Sequence, residues 1–391
     1  MNRQTPYIYY RLLLKSIFTF YLKFKNNFVK NYIVENIGGN KWIFVSYIVE
    51  PFKRKKDDAY FHGHQNRQET LIISAVAQEL RFSYVFNDYD KPLNFYKRKF
   101  DIIFGLEPHF KIMCDKNPKA IKIYYATGAY YKHQNLMIIN RTNAFCEKYN
   151  TNYPYKRLVK EHNSCDIADY IFQIGSKFTI ETYPINLRHK IILINQTSHV
   201  FKNINIVEKI KVTSKSDFIW FGSGGTILKG LDLVLEYFIA NKNLNLNVVG
   251  PIEYEFLKVF KNQIKTASNI KFYGYLDVES NEFRYLANIC AFLIFPSASE
   301  GCPGSVINLQ KLGVIPILSR WASSNNIEEH GYQLKELNMT SIIEAINWSQ
   351  ALTYECIINL IKSNCDYISE THSNERFKME LLNNFNMSIS L

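Results

Sequence analysis

Long uninterrupted apolar runs are missing from this chain. Lys or Arg breaks every candidate before the roughly 20 residues that a membrane-spanning helix needs, so no such helix is expected. Paired cysteine motifs are missing as well. The seven cysteines, Cys114, Cys146, Cys165, Cys290, Cys302, Cys356 and Cys365, show no C-x-x-C and no metal-type spacing. That pattern reads as reduced thiols in a cytoplasm rather than a disulfide framework or a zinc module. No cleavable leader, short-period repeat or extended low-complexity segment is expected. Acidic residues are the scarcer charge, with 35 Asp and Glu against 47 Lys and Arg and a formal net charge of +12. The surplus fits an anionic surface as partner. It equally fits an AT-rich coding sequence, which supplies Lys, Asn, Ile, Tyr and Phe without functional pressure. No recognised nucleic-acid motif accompanies the charge, so nucleic acid is not an expected partner.

What is present is a folded composition of ordinary kind, 47% hydrophobic and 21% charged over 391 residues. That length exceeds what one core usually serves, so two domains with a cleft between them are expected. Residues 1–40 hold a basic aromatic segment; within it, 7–34 reads as an interfacial helix or as a helix packed on the first domain. Short apolar runs then alternate with helix-length stretches: Trp42–Ile48, Phe82–Phe86, Ile102–Leu106, Ile121–Ala126, Tyr170–Ile174 and Ile191–Ile194. The polar, Lys-rich stretch 201–216 reads as a linker, and a second series follows at Asp217–Phe221, Leu246–Val249, Ile270–Tyr273, Ala291–Phe295 and Val314–Leu318. Runs of this length with regular punctuation predict parallel sheets wound with helices. The expected division is a first α/β domain over 41–200, a second over 217–370, and a tail over 371–391 that packs across the hinge.

Two segments carry chemistry. In Phe295-Pro296-Ser297-Ala298-Ser299-Glu300-Gly301-Cys302-Pro303-Gly304-Ser305 a carboxylate ends a buried strand and a helix starts just beyond it. A helix start offers free N–H groups and a positive dipole end to an anion, and glycine lets backbone approach a ligand. The second, Trp220-Phe221-Gly222-Ser223-Gly224-Gly225-Thr226-Ile227-Leu228-Lys229-Gly230, runs from a strand through a glycine loop into a helix. Its N–H groups and Lys229 suit a diphosphate.

The first segment resembles the P-S-x-x-E-G-x-x-x-x-x-x-E region of the large retaining GT-B glycosyltransferase family, the group 1 or family 4 type. Glu300 matches the first glutamate of the Glu-x7-Glu pattern, and the second falls on Asn308. The second segment is similar to the family's donor-phosphate loop, though no Arg lies between Gly222 and Leu228, so a second cation is either missing or supplied from elsewhere. Asn269-Ile270-Lys271-Phe272-Tyr273-Gly274-Tyr275 resembles the strand and turn that precede the donor base. The resemblance implies a GT-B fold, two Rossmann-like domains facing a cleft, and a hexosyl-type transferase acting with retention. It implies Glu300 beside the transferred sugar. Donor contacts would come from Lys229, Gly222, Gly224, Gly225, Gly274, Tyr275, Gly301, Cys302, Gly304, Ser305 and Asn308. No cofactor or tightly bound metal is implied. The partners are a nucleotide-sugar donor, a glycan or lipid-linked acceptor and an anionic membrane surface, in cell-surface polysaccharide or glycoconjugate synthesis on the cytoplasmic side.

The first domain is supported by pattern alone. His64, Asn66, Glu107, Thr127 and His133 follow strand candidates and are the acceptor-side expectations. Asp88-Tyr89-Asp90 after a strand is the form a metal-binding D-x-D takes in GT-A transferases, but two sequential α/β halves favour GT-B. A non-catalytic nucleotide- or sugar-binding protein on a degenerate GT-B fold is the alternative, motivated by Asn308 and the missing Arg.

Overall fold

The computed structural model describes residues 31–35, 40–94 and 96–390. The basic aromatic stretch 7–30 lies outside the described residues. Residues 31–34, which the helical reading included, instead form an edge strand.

The first sheet contains β1 (Asn31–Val34), β2 (Trp42–Tyr47), β3 (Ser83–Asp88), β4 (Ile102–Gly105), β5 (Ile121–Ala126), β6 (Tyr170–Ile174) and β7 (Ile191–Ile194). Its order is β1-β3-β2-β4-β5-β6-β7, parallel except for β1, which runs antiparallel to β3. Four-residue β1 carries polar and apolar residues in a short run, too brief a pattern to separate from the basic aromatic sequence before it. The second sheet contains β8 (Ser214–Phe221), β9 (Asn245–Val249), β10 (Ile270–Gly274), β11 (Cys290–Phe295), β12 (Ile315–Ser319) and β13 (Tyr332–Leu334), in the order β10-β9-β8-β11-β12-β13. Central strands are continuous apolar runs because helices cover both faces of a parallel sheet. All six residues of β11 are buried.

The expected linker 201–216 is shorter in the structure. Ile206–Val212 is helical and β8 begins at Ser214, so this stretch belongs to the second domain. Within this Lys-rich stretch Lys209 is fully buried. Its ammonium bonds the carbonyls of Ala287 (2.7 Å) and Cys290 (2.6 Å) at the end of the helix Asn281–Ile289. A cation there satisfies carbonyls the helix leaves open.

The chain crosses between the domains twice. The outward crossing runs through Gln196, Thr197 and Ser198, and the return is at His372. Ser198 donates N–H to the His372 carbonyl at 2.7 Å, and His372 Nδ1 lies 2.7 Å from the Gln196 carbonyl. The final helix, Asn374–Ser390, then packs on the first domain, burying Phe377, Leu381 and Phe385 in its core. Each such side chain contributes roughly 1.5–3 kcal/mol by leaving water.

The switch points of the two sheets position the cleft. In open α/β sheets ligands bind beyond the carboxyl ends of the strands where the strand order reverses. In the second sheet that point lies between β8 and β11, whose ends lead into Gly222 and Glu300. In the first it lies between β2 and β4.

Candidate functional site

The two switch points face a shared cleft of about 860 Å³. Of the residues expected from sequence, Glu300, Lys229, Gly222, Tyr275, Gly301, Cys302, Gly304, Ser305, Asn308, His64, Asn66 and Thr127 line it. Gly224, Gly225, Gly274, Glu107 and His133 do not.

At its centre, Lys229 Nζ and Glu300 Oε1 lie 3.6 Å apart, with side chains only 7% and 13% exposed. Sequence reasoning gave the two residues separate tasks; the fold makes them an ion pair. Ser297 Oγ donates to Glu300 Oε1 at 2.9 Å and fixes the carboxylate's direction. Burial lowers the Lys229 pKa, and the Glu300 charge opposes that fall. Past Glu300, the helix Gly304–Lys311 starts at the cleft with Pro303 at its N-cap, where a missing N–H costs nothing.

Gly301 and Gly304 line the cleft and also bring the two domains together. A Cβ on Gly301 would lie 2.6 Å from the Ile174 carbonyl oxygen and 2.8 Å from that of Thr127, both backbone of the first domain. Gly304 stands against the Gln65 side-chain amide. Both allow close approach of domain to domain. The glycine loop after β8 is closed on itself: Glu253 accepts from Gly225 N at 2.5 Å and from Thr226 N at 3.4 Å, and bonds the Thr226 hydroxyl. The N–H groups of Gly225 and Thr226 therefore serve a carboxylate of the chain, which corrects the expectation that this part of the loop meets phosphate.

Asn308 is also engaged. Its Oδ1 accepts the His199 N–H at 2.9 Å, so this expected donor contact also holds the outward crossing. His199 Nε2 in turn lies 2.7 Å from Glu279 Oε1. Glu279 lines the cleft just past β10, a strand-end position the sequence could have offered.

In the first domain, His64 Nδ1 accepts the Asn66 N–H at 3.2 Å, which puts the ring proton on Nε2. The ring faces the opening yet is crowded by protein, and that enclosure with the charge of Arg67 lowers its pKa to about 4. His62 reaches across to Asp277, 3.1 Å away. Glu107 turns from the cleft to His162 (3.0 Å) and Tyr124 (3.0 Å). Burial works against its charge, but the bond and charge of His162 outweigh it and hold the carboxyl below its ordinary value. His133 packs against Trp321 of the second domain with its ring tilted, 4.5 Å between ring centres. Asp88 Oδ2 accepts the Val49 N–H, and Asp90 pairs with Lys91. Sequence reasoning missed Arg157, Gln65 and Glu69, all lining the cleft. Arg157 lies in a polar stretch without periodicity, and only tertiary placement reveals it.

No family model and no curated protein matches the chain. Solved structures do. Sucrose-phosphate synthase from Thermosynechococcus elongatus superposes with a TM-score of 0.60 at 10% identity, covering 90% of this chain and 100% of that one. HepE of Anabaena in complex with UDP and glucose gives 0.50 at 11% identity, covering 89% and 99%. A variant of S. aureus TarM in complex with fondaparinux, α-GlcNAc-glycerol and UDP gives 0.50 at 11% identity over 73% of this chain; the match spans only 55% of TarM. At such identities the likeness is one of fold. The fold is GT-B, two parallel-sheet α/β domains facing a cleft. Among the described residues no helix is long and apolar enough to cross a membrane.

Proposed function

We propose that this chain is a glycosyltransferase that moves a hexosyl group from a nucleotide sugar to a glycan or lipid-linked acceptor, with retention, in cell-surface polysaccharide or glycoconjugate synthesis. The observation that carries the reading is the buried Lys229–Glu300 pair at the second sheet's switch point, beside a helix start that opens on the cleft. A leaving diphosphate needs positive charge fixed in advance where water is scarce, and Lys229 with the first N–H groups of Gly304–Lys311 offers it. Glu300 then faces the reacting sugar as its carbon gains positive character, while the departing phosphate takes the acceptor proton. First-domain residues His64, Asn66 and Thr127 orient the acceptor. These roles call for no tightly bound metal. An anionic membrane surface would engage the basic residues before 31, on the cytoplasmic face.

UDP-sugars are the first donors to test, since HepE and TarM were solved with UDP. The experiment is a nucleotide-sugar panel followed for donor hydrolysis and for transfer to glycan and glycolipid acceptors. Turnover of one donor supports the reading. Binding without hydrolysis or transfer favours the second reading, a non-catalytic sugar-nucleotide binder, for which the engaged Asn308 and the Glu253-closed loop speak.

A further inference from the structure

The cleft contains a cation that neither the sheet ends nor the glycine loop supplies. Arg157 lies in the first domain, after the helix Tyr131–Tyr149. That helix holds its segment at two points: Gln134 Nε2 donates to the Arg157 carbonyl at 3.1 Å, and Asn135 exchanges two bonds of 2.8 Å with the backbone of Val159. At the first of these anchors Arg157 takes a left-handed backbone, φ 68°, a conformation uncommon for a side-chain-bearing residue. The turn sends the side chain over the cleft onto the second domain, where Nη1 donates to the Gly224 carbonyl at 3.0 Å. Gly225 makes the seat possible, because a Cβ there would come within 2.6 Å of Arg157 Cδ.

A guanidinium carries five donors and a permanent charge. Here it rests on a neutral carbonyl, and among the described residues no carboxylate lies within ion-pair distance of it. Its charge bears on both Lys229 and His64. Lys229 has one carboxylate within ion-pair distance, Glu300, and Glu253 nearby is already held by the N–H groups of Gly225 and Thr226, so Arg157 keeps guanidinium donors without a carboxylate partner. A planar fork of donors beside an ammonium matches neighbouring phosphate groups better than a single phosphate, because each cation can serve a different one.

We propose that Arg157 binds the donor's diphosphate, delivered from the first domain, so that the nucleotide is held by one cation from each side of the cleft. The proposal rests on the cleft being a nucleotide-sugar site. It makes donor binding and cleft closure one event, because a phosphate engaged by both Lys229 and Arg157 ties the domains together.

The test is titration calorimetry on the full chain with UDP, GDP, ADP and CDP, then with the monophosphate and nucleoside of the tightest binder, for wild type, Arg157→Gln and Arg157→Lys. Arg157→Gln should weaken the nucleoside diphosphate by about 10-fold or more, leave the nucleoside unchanged, and flatten the salt dependence of diphosphate affinity. Arg157→Lys should recover part of the loss. Unchanged diphosphate affinity in Arg157→Gln, or an equal loss for diphosphate and nucleoside, would make Arg157 a strap between domains and overturn the proposal while leaving the glycosyltransferase reading intact. A wild type that binds none of the four diphosphates overturns both.

Discussion

The two glycine segments of the second domain, 222–226 and 300–305, look alike as sequence, each a strand running through glycines into a helix. The fold treats them differently. In the first, Glu253 accepts the N–H groups of Gly225 and Thr226, and the loop's charge requirement is met internally. In the second, among the described residues no side chain caps the helix start, and its glycines let the first domain close over it. A glycine loop is therefore an anion site only where the chain has not already placed an acceptor on its donors. The difference predicts a functional loop at 300–305 and a structural one at 222–226.

The strongest challenge to that contrast is Glu300→Gln. It keeps shape and removes the charge facing the sugar, so turnover should fall by about 100-fold to 1,000-fold with donor affinity largely kept. Near-normal turnover would remove Glu300 from the reaction. Gly301→Ala comes next. Its Cβ meets two backbone carbonyls that cannot swing aside, so the cleft cannot close as it does now. Displacing reacting groups by an ångström costs transfer on the order of 100-fold, and scattering should show a more open molecule. An unchanged rate would mean that this closure is not the productive one.

The 300–305 loop also rests on a titratable floor. Cys302 packs against the first domain's core, where buried Glu69 accepts from Tyr47, Tyr125 and Thr197. Burial pushes the Glu69 pKa up to about 7, against an ordinary value of 4.5. Between those values the unfolded chain has released this proton and the folded one has not, so rising pH favours unfolding. The contribution is full below pH 4.5 and lost as pH rises through 7, up to about 3 kcal/mol. His372, whose pKa burial lowers to about 4, slopes the other way over part of this window, so the wild-type curve alone is flattened. The measurement is the stability difference between wild type and Glu69→Gln from pH 4.5 to 8. Wild type should lose ground steadily, and parallel curves would show that Glu69 does not titrate there.

The smallest expected effect belongs to the closed loop. Glu253→Ala strands two N–H groups and should cost ~1–2 kcal/mol of stability with a modest change in turnover. Abolished turnover at unchanged melting temperature would reverse the comparison and put 222–226 in the reaction.

Much of this fold was legible. The apolar runs in β2, β4, β8 and β11 follow from sheets covered on both faces, and the strand ends leading to Gly222 and Glu300 belong to β8 and β11. Short edge strands escaped: three-residue β13 has too few positions to show a period. The site was legible as far as local sequence reaches. Glu300 and Lys229 stand at strand and loop ends, whereas Arg157 on Gly224, His62 on Asp277 and His199 on Asn308 join residues far apart in the chain. Nothing in the local pattern of a polar stretch distinguishes an arginine that reaches another domain from one in water.

The helix Asn374–Ser390 has a consequence for the order of assembly during synthesis. The first domain is translated first but completed last, because Phe377, Leu381 and Phe385 of its core emerge only after the whole second domain. A nascent chain released short of Asn374 should hold a finished second domain beside a first domain with an apolar groove uncovered, the kind of surface chaperones retain. Pulse proteolysis of such chains should cut the first domain sooner. If both domains resist equally, the helix is a late addition to a core already formed.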